Sequence, residues 1–148
     1  MMLEGVTLDI LWGLGLGLGG AGLAHIRGFD RDRSYYPTLM IVIASIYVLF
    51  AVMAVPPAAL WPEVIAAMGF IALAIAGHRW SLWLVVAALV GHGVFDLVHP
   101  RIIANAAVPT WYPAFCGAAD LVLSAGLAVV ILRGRLSAKP DPGLVLAD

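Results

Sequence analysis

The sequence predicts an all-α, polytopic transmembrane bundle of five spans, on three observations. The chain is 63% hydrophobic and only 11% charged, with a mean hydropathy of +1.01, whereas a soluble domain carries about 25% charged residues. Its apolar residues gather into five runs, each close to the roughly 20 residues that a helix needs to cross a bilayer. The basic residues are distributed asymmetrically across those runs. The net charge of −1 supplies no electrostatic footprint for nucleic acid. The single cysteine excludes an intramolecular disulfide and any CxxC motif.

The first run, about Leu8–Ile26, follows MMLEGVTLD, which lacks the basic segment of a secretory signal, so it reads as a retained span. Gly13-x-x-x-Gly17 and Gly15-x-x-x-Gly19 are small-xxx-small patterns that allow close helix approach. The favoured use of that face is packing against another span of the same chain. A homo- or hetero-oligomer interface is the alternative. The second run is about Thr38–Val55, and the third, about Trp61–Gly77, is the shortest. The fourth, about Trp80–His99, carries the polar stripe described below, and the fifth is about Pro113–Leu132. Pro37, Pro56, Pro57, Pro100 and Pro109 fall between runs. Pro62 and Pro113 suit first helical turns, where the missing N–H costs nothing. Residues 1–136 therefore form one transmembrane domain. Residues 137–148, with two prolines and no periodicity, form an expected disordered tail.

Arg27, Arg31 and Arg33 lie between runs one and two, Arg79 between three and four, and Arg133, Arg135 and Lys139 after run five. With five crossings these fall on one side, and of the eight Lys and Arg only Arg101 falls on the other. The positive-inside rule then places the N-terminus outside and the C-terminus inside, as for a multi-pass protein of a bacterial inner membrane.

Within GHGVFDLVHP, His92, Asp96 and His99 are spaced i, i+4, i+7, within an arc of roughly 60° on a helix. Ionisable groups are costly in hydrocarbon and turn toward a bundle interior or a wet cavity. Asp120 lies at matching depth on the antiparallel fifth span, and Glu63 lies near the level of His99. His92, Asp96, His99, Asp120 and Glu63 are therefore the candidate metal ligands, about one third of the way into the membrane on the outer side. Imidazole and carboxylate suit zinc, copper or iron, and three such ligands plus water make a catalytic zinc site. Asp9 is left outside the cluster, and His25 is too far away. Cys116 and Ser124 share a stripe with Asp120. The segment Arg101–Tyr112 is apolar enough to lie in the interface, with Trp111 and Tyr112 as belt anchors. The tyrosines of RDRSYYP read as part of the same kind of belt. No P-loop, Ser-His-Asp triad or dinucleotide fingerprint is present.

The segments RSYYPTLMIVIASIYVLFAVM, GHGVFDLVHP and PTWYPAFCGAAD resemble a group of small uncharacterised bacterial integral-membrane proteins over about Arg33–Ala128. The resemblance implies a membrane protein and no particular activity. Two site analogies exist: the Asp/His copper site in the C subunit of membrane monooxygenases, and the His/Asp zinc site of membrane ceramidase-type hydrolases. The functional expectation is an intramembrane metal site, with or without a metal-dependent reaction on a lipid-like substrate. The alternatives are an accessory or assembly subunit of a larger membrane complex, and proton or metal-ion transport. For transport, the only polar groups toward the inner side are Ser45, Tyr47 and His25. Fusions of topology reporters to each end should place the N-terminus outside and the C-terminus inside. Both ends on one side would remove one of the five crossings, Trp61–Gly77 first.

Overall fold

A computed structural model describes residues 2–136, with side chains from Gly5 onward. It is all-helical: α1 (Met2–Arg27), a short 3-10 helix (Phe29–Arg31), α2 (Tyr35–Met53), α3 (Leu60–Arg79), α4 (Trp83–Ile102) and α5 (Tyr112–Leu132). All five α-helices are long and apolar enough to cross a membrane. Helices satisfy their own backbone hydrogen bonds, which is what hydrocarbon demands. The tail 137–148 lies outside the described residues.

Several boundaries differ from the sequence reading. Pro37 sits inside the first turn of α2, which begins at Tyr35. Its missing N–H falls where a helix has no intrahelical acceptor to offer. The third run was expected to be the shortest, yet α3 spans 20 residues, with Pro62 in its first turn. The fourth was expected to begin at Trp80 and end near His99. Instead Trp80 caps α3 by donating its N–H to the Ala76 carbonyl, and α4 begins after a three-residue link. Its other end runs through Pro100 to Ile102. A proline so near a helix end forfeits one hydrogen bond, to the Asp96 carbonyl, and the following turn survives.

α5 is the most enclosed helix and α1 the least. α5 packs against α1 on one side and α4 on the other, while α4 reaches α3 and α2. Along α1, Gly13 meets Phe115 and Gly17 meets Ala119 and Val122. Residue numbers rise together, so α1 and α5 run in the same direction. A Cβ on Gly17 would lie 2.8 Å from the Val122 Cβ, and the backbones can touch only because both glycines lack one. Gly15 and Gly19 face open space. The expected same-chain partner of the Gly13–Gly17 face is thus α5.

α4 and α5 run antiparallel and approach through a second glycine pair. A Cβ on Gly93 would stand 3.2 Å from the Gly117 carbonyl oxygen, and one on Gly117 the same distance from that of Gly93. Below this point the interior is apolar, built from Met40, Ala44, Val85, Leu89, Leu123 and Leu127. At the α1–α2 corner Ser34 donates its backbone N–H and its hydroxyl to Asp32 Oδ1, each at 2.8 Å. Chiefly through the backbone bond, these donors hold the Asp32 carboxyl below its ordinary value.

Gly17→Leu should drive α1 from α5 and lower stability in detergent by about 1–3 kcal/mol, the usual cost of overpacking. Gly19→Leu should leave it unchanged. Thermal unfolding of the two variants side by side checks this. Equal behaviour would mean that α1 does not dock on α5 through that face.

Candidate metal centre

The Gly93–Gly117 contact determines which side chains meet. His92 and Asp96 project from α4, Cys116 and Asp120 from α5, and all four are buried. His92 Nδ1 lies 2.8 Å from Asp120 Oδ2 and 3.6 Å from Asp96 Oδ2. One donor atom from each of His92, Asp96, Cys116 and Asp120 lies within 4.8 Å of the other three. Asp96 Oδ2 and Asp120 Oδ1 have no hydrogen-bond partner. Tyr47 of α2 closes the third side by donating its hydroxyl to Asp96 Oδ1 at 2.7 Å. Phe70 meets the edge of His92 from α3, with ring centroids 4.8 Å apart.

The remaining two candidates form a separate pair beside this group. His99 Nε2 lies 2.8 Å from Glu63 Oε1, and both residues are 1% exposed. Asn105, from the α4–α5 connection, donates to the same Glu63 oxygen at 2.8 Å and to the Tyr47 carbonyl at 3.2 Å. The phenol ring of Tyr47 stacks on His99 with centroids 4.0 Å apart. Tyr47 therefore touches both groups, its ring against one and its hydroxyl against the other. A cavity of about 400 Å³ opens over the second pair, lined in part by His99, Asn105, Pro109 and Thr110. His99 Nδ1 and Glu63 Oε2 have no partner.

All five predicted ligands are thus buried, but they divide two ways. His92, Asp96 and Asp120 converge, and His99 and Glu63 bind each other. His99 does not terminate its helix, because α4 continues past it. With ten residues between His92 and the end of α4, about 15 Å at 1.5 Å per residue, the first group lies at mid-helix.

Cys116, Tyr47 and Asn105 were not among the expected site residues. Cys116 is signalled by its position four residues before Asp120 on one helix face. Tyr47, expected on the inner side, lies level with Asp96. No sequence signal places Asn105, because it acts from a connection. Tyr112 is not a belt anchor: it is 6% exposed and packs edge-on against Tyr47 and Phe50. Trp111 is half-exposed. Tyr36 is buried in the core rather than set in a belt. His25 lies apart, as expected, on Asp30 and Arg135.

The chemistry open to the first group follows from charge. Asp96 and Asp120 face each other across one imidazole. The only Lys or Arg residues in α2–α5 are Arg79 and Arg101, both in last turns. Buried carboxylates require a compensating positive charge, here a proton or a bound cation. No family model, curated protein or solved structure matches the chain.

Tyr47→Phe keeps the ring on His99 and removes the donor to Asp96. It should cost about 1.5–3 kcal/mol, as for a hydrogen bond to a charged group. Tyr47→Ala should cost more, since the stacked ring goes as well. Unfolding in detergent measures both. A silent Tyr47→Phe would mean that Asp96 is not held by this hydroxyl.

Proposed function

We propose that this chain is a small inner-membrane protein that binds one transition-metal ion through His92, Asp96, Cys116 and Asp120. The observation that carries the proposal is the mutual approach of these four donors within 4.8 Å, with two carboxylate oxygens still unpartnered and no cationic side chain among them. A tetrahedral ion with bonds of about 2.0–2.3 Å holds its ligands about 3.3–3.8 Å apart. The 3.6 Å separation of His92 from Asp96 already falls in that interval. The 2.8 Å separation from Asp120 requires either an opening of about half an ångström or ligation through Asp120 Oδ1. One nitrogen, one sulfur and two oxygens suit zinc best, with copper and iron as competitors. A divalent ion would also neutralise both carboxylates.

The proposed orientation is N-terminus outside and C-terminus inside, in a bacterial inner membrane. It rests on the asymmetry of the basic residues.

Four protein ligands favour a closed site over a catalytic one, which keeps a position open for water. The cavity near the surface is lined by His99 rather than by the four donors, which also weighs against a reaction at the ion. The reading is therefore of an ion that ties α4 to α5, as in a non-enzymatic accessory protein. The tight His92–Asp120 hydrogen bond favours a second reading, in which the pair holds a proton. Proton or ion passage through the bundle has less support, because the apolar layer of Met40, Leu89, Leu123 and Leu127 lies on the far side of the site.

Elemental analysis of purified protein should find about one zinc, copper or iron per chain. Titration with cobalt should give the charge-transfer absorption of a cobalt–thiolate bond. Cys116→Ser should lose that band, His92→Ala should abolish uptake, and Glu63→Ala should change it little. Uptake should weaken on acidification, because protons compete for imidazole and thiolate. Protein that takes up neither zinc nor cobalt at neutral pH would overturn the proposal in favour of a proton-holding pair. In that event Asp120→Asn would separate a structural pair, which tolerates it, from a relay, which does not.

A further inference from the structure

Toward the opposite end of the bundle from Asn105, α1 and α5 pack closely at Gly126, where an added Cβ would lie 3.3 Å from the Ala21 Cβ. Alongside it a crevice of about 660 Å³ opens between the two helices. Its walls include Leu18, Ile26, Leu121 and Val129, all exposed on the lipid-facing surface. Its floor includes Gly22, where a Cβ would meet nothing within 4 Å. The volume is of the size that takes a small amphiphile.

The polar lining is unusual for an apolar groove. Asp30 lines it and is 1% exposed. Arg135 Nη1 lies 2.7 Å from His25 Nε2. A guanidinium only donates, so Nε2 accepts and the ring proton sits on Nδ1. That proton is donated to Asp30 Oδ2 at 2.8 Å. Asp30 Oδ1 is buried and has no partner. The crevice thus offers apolar walls and a buried acceptor that lacks a donor, and the Arg135 guanidinium stands next to it on the lining residue His25.

We propose that this crevice binds one membrane phospholipid with a primary ammonium headgroup, of the phosphatidylethanolamine class. Its chain lies between α1 and α5, its ammonium donates to Asp30 Oδ1, and its phosphate meets Arg135. A choline headgroup has no N–H and cannot satisfy Oδ1. An anionic headgroup without an amine would set its charge against the carboxylate.

Native mass spectrometry of the full chain, equilibrated with phosphatidylethanolamine and phosphatidylcholine of matched chains, tests this. One ethanolamine lipid should be retained, with a preference of about tenfold, the worth of one charge-assisted hydrogen bond. Gly22→Phe sets a bulky side chain in the crevice at a position whose Cβ would meet nothing within 4 Å. It should release the lipid while thermal stability stays unchanged. Asp30→Asn should reduce the preference to near parity. Equal retention of the two lipids would overturn the proposal, as would displacement by phosphatidylglycerol or retention by Gly22→Phe. Retention of neither lipid would also overturn it, whether a second copy of the chain or the segment beyond Leu136 fills the crevice.

Discussion

Two carboxylates, Asp96 and Asp120, lie on facing helices around one imidazole at mid-helix, with no arginine or lysine beside them. The free energy of an uncompensated charge there is large enough to shape its whole surroundings. The hydroxyl of Tyr47 and the Nδ1 of His92 are directed at these carboxylates, and the Cys116 sulfur lies within 4.8 Å of an oxygen of each. The helices can come this close because Gly93 and Gly117 carry no side chains at the crossing. A methyl group on either would press on the opposite carbonyl and push the acidic residues away from their partners. Packing and electrostatics are therefore one constraint here.

The second acidic pair shows how a connection can do the work of a helix. Glu63 and His99 satisfy each other across α3 and α4. Asn105 then fastens the pair to the α2 backbone through the Tyr47 carbonyl. Three helices and one loop are tied at that end by groups that would otherwise be unsatisfied in an apolar setting. Because Tyr47 stacks on His99 and bonds Asp96, one ring joins the Glu63–His99 pair to the group around His92. At the opposite end His25, Asp30 and Arg135 repeat the device more openly, next to a crevice rather than inside a core. The apolar residues between the two ends give the bundle its packing without linking the two polar clusters.

The five helices were legible in the sequence because hydrocarbon leaves few alternatives: twenty apolar residues must hydrogen-bond to themselves. The stripe of His92, Asp96 and His99 was legible because helical periodicity is fixed. Their burial followed from the cost of exposing them to lipid. The match of Asp120 to His92 was legible from antiparallel depth alone, and so was the use of Gly13 and Gly17 against another span. Tertiary structure decided what periodicity cannot: which groups on a shared face pair with which. His99 left the stripe for Glu63 because the helix crossing carries its end toward α3. Cys116 joined His92 because the Gly93–Gly117 contact brings its turn of α5 against Asp96. Tyr47 and Asn105 reached the site from positions whose separation along the chain says nothing of distance. Local sequence determines element, face and depth through short-range physics. Partners across elements depend on the crossing geometry of whole helices, which is settled only when every face has been packed.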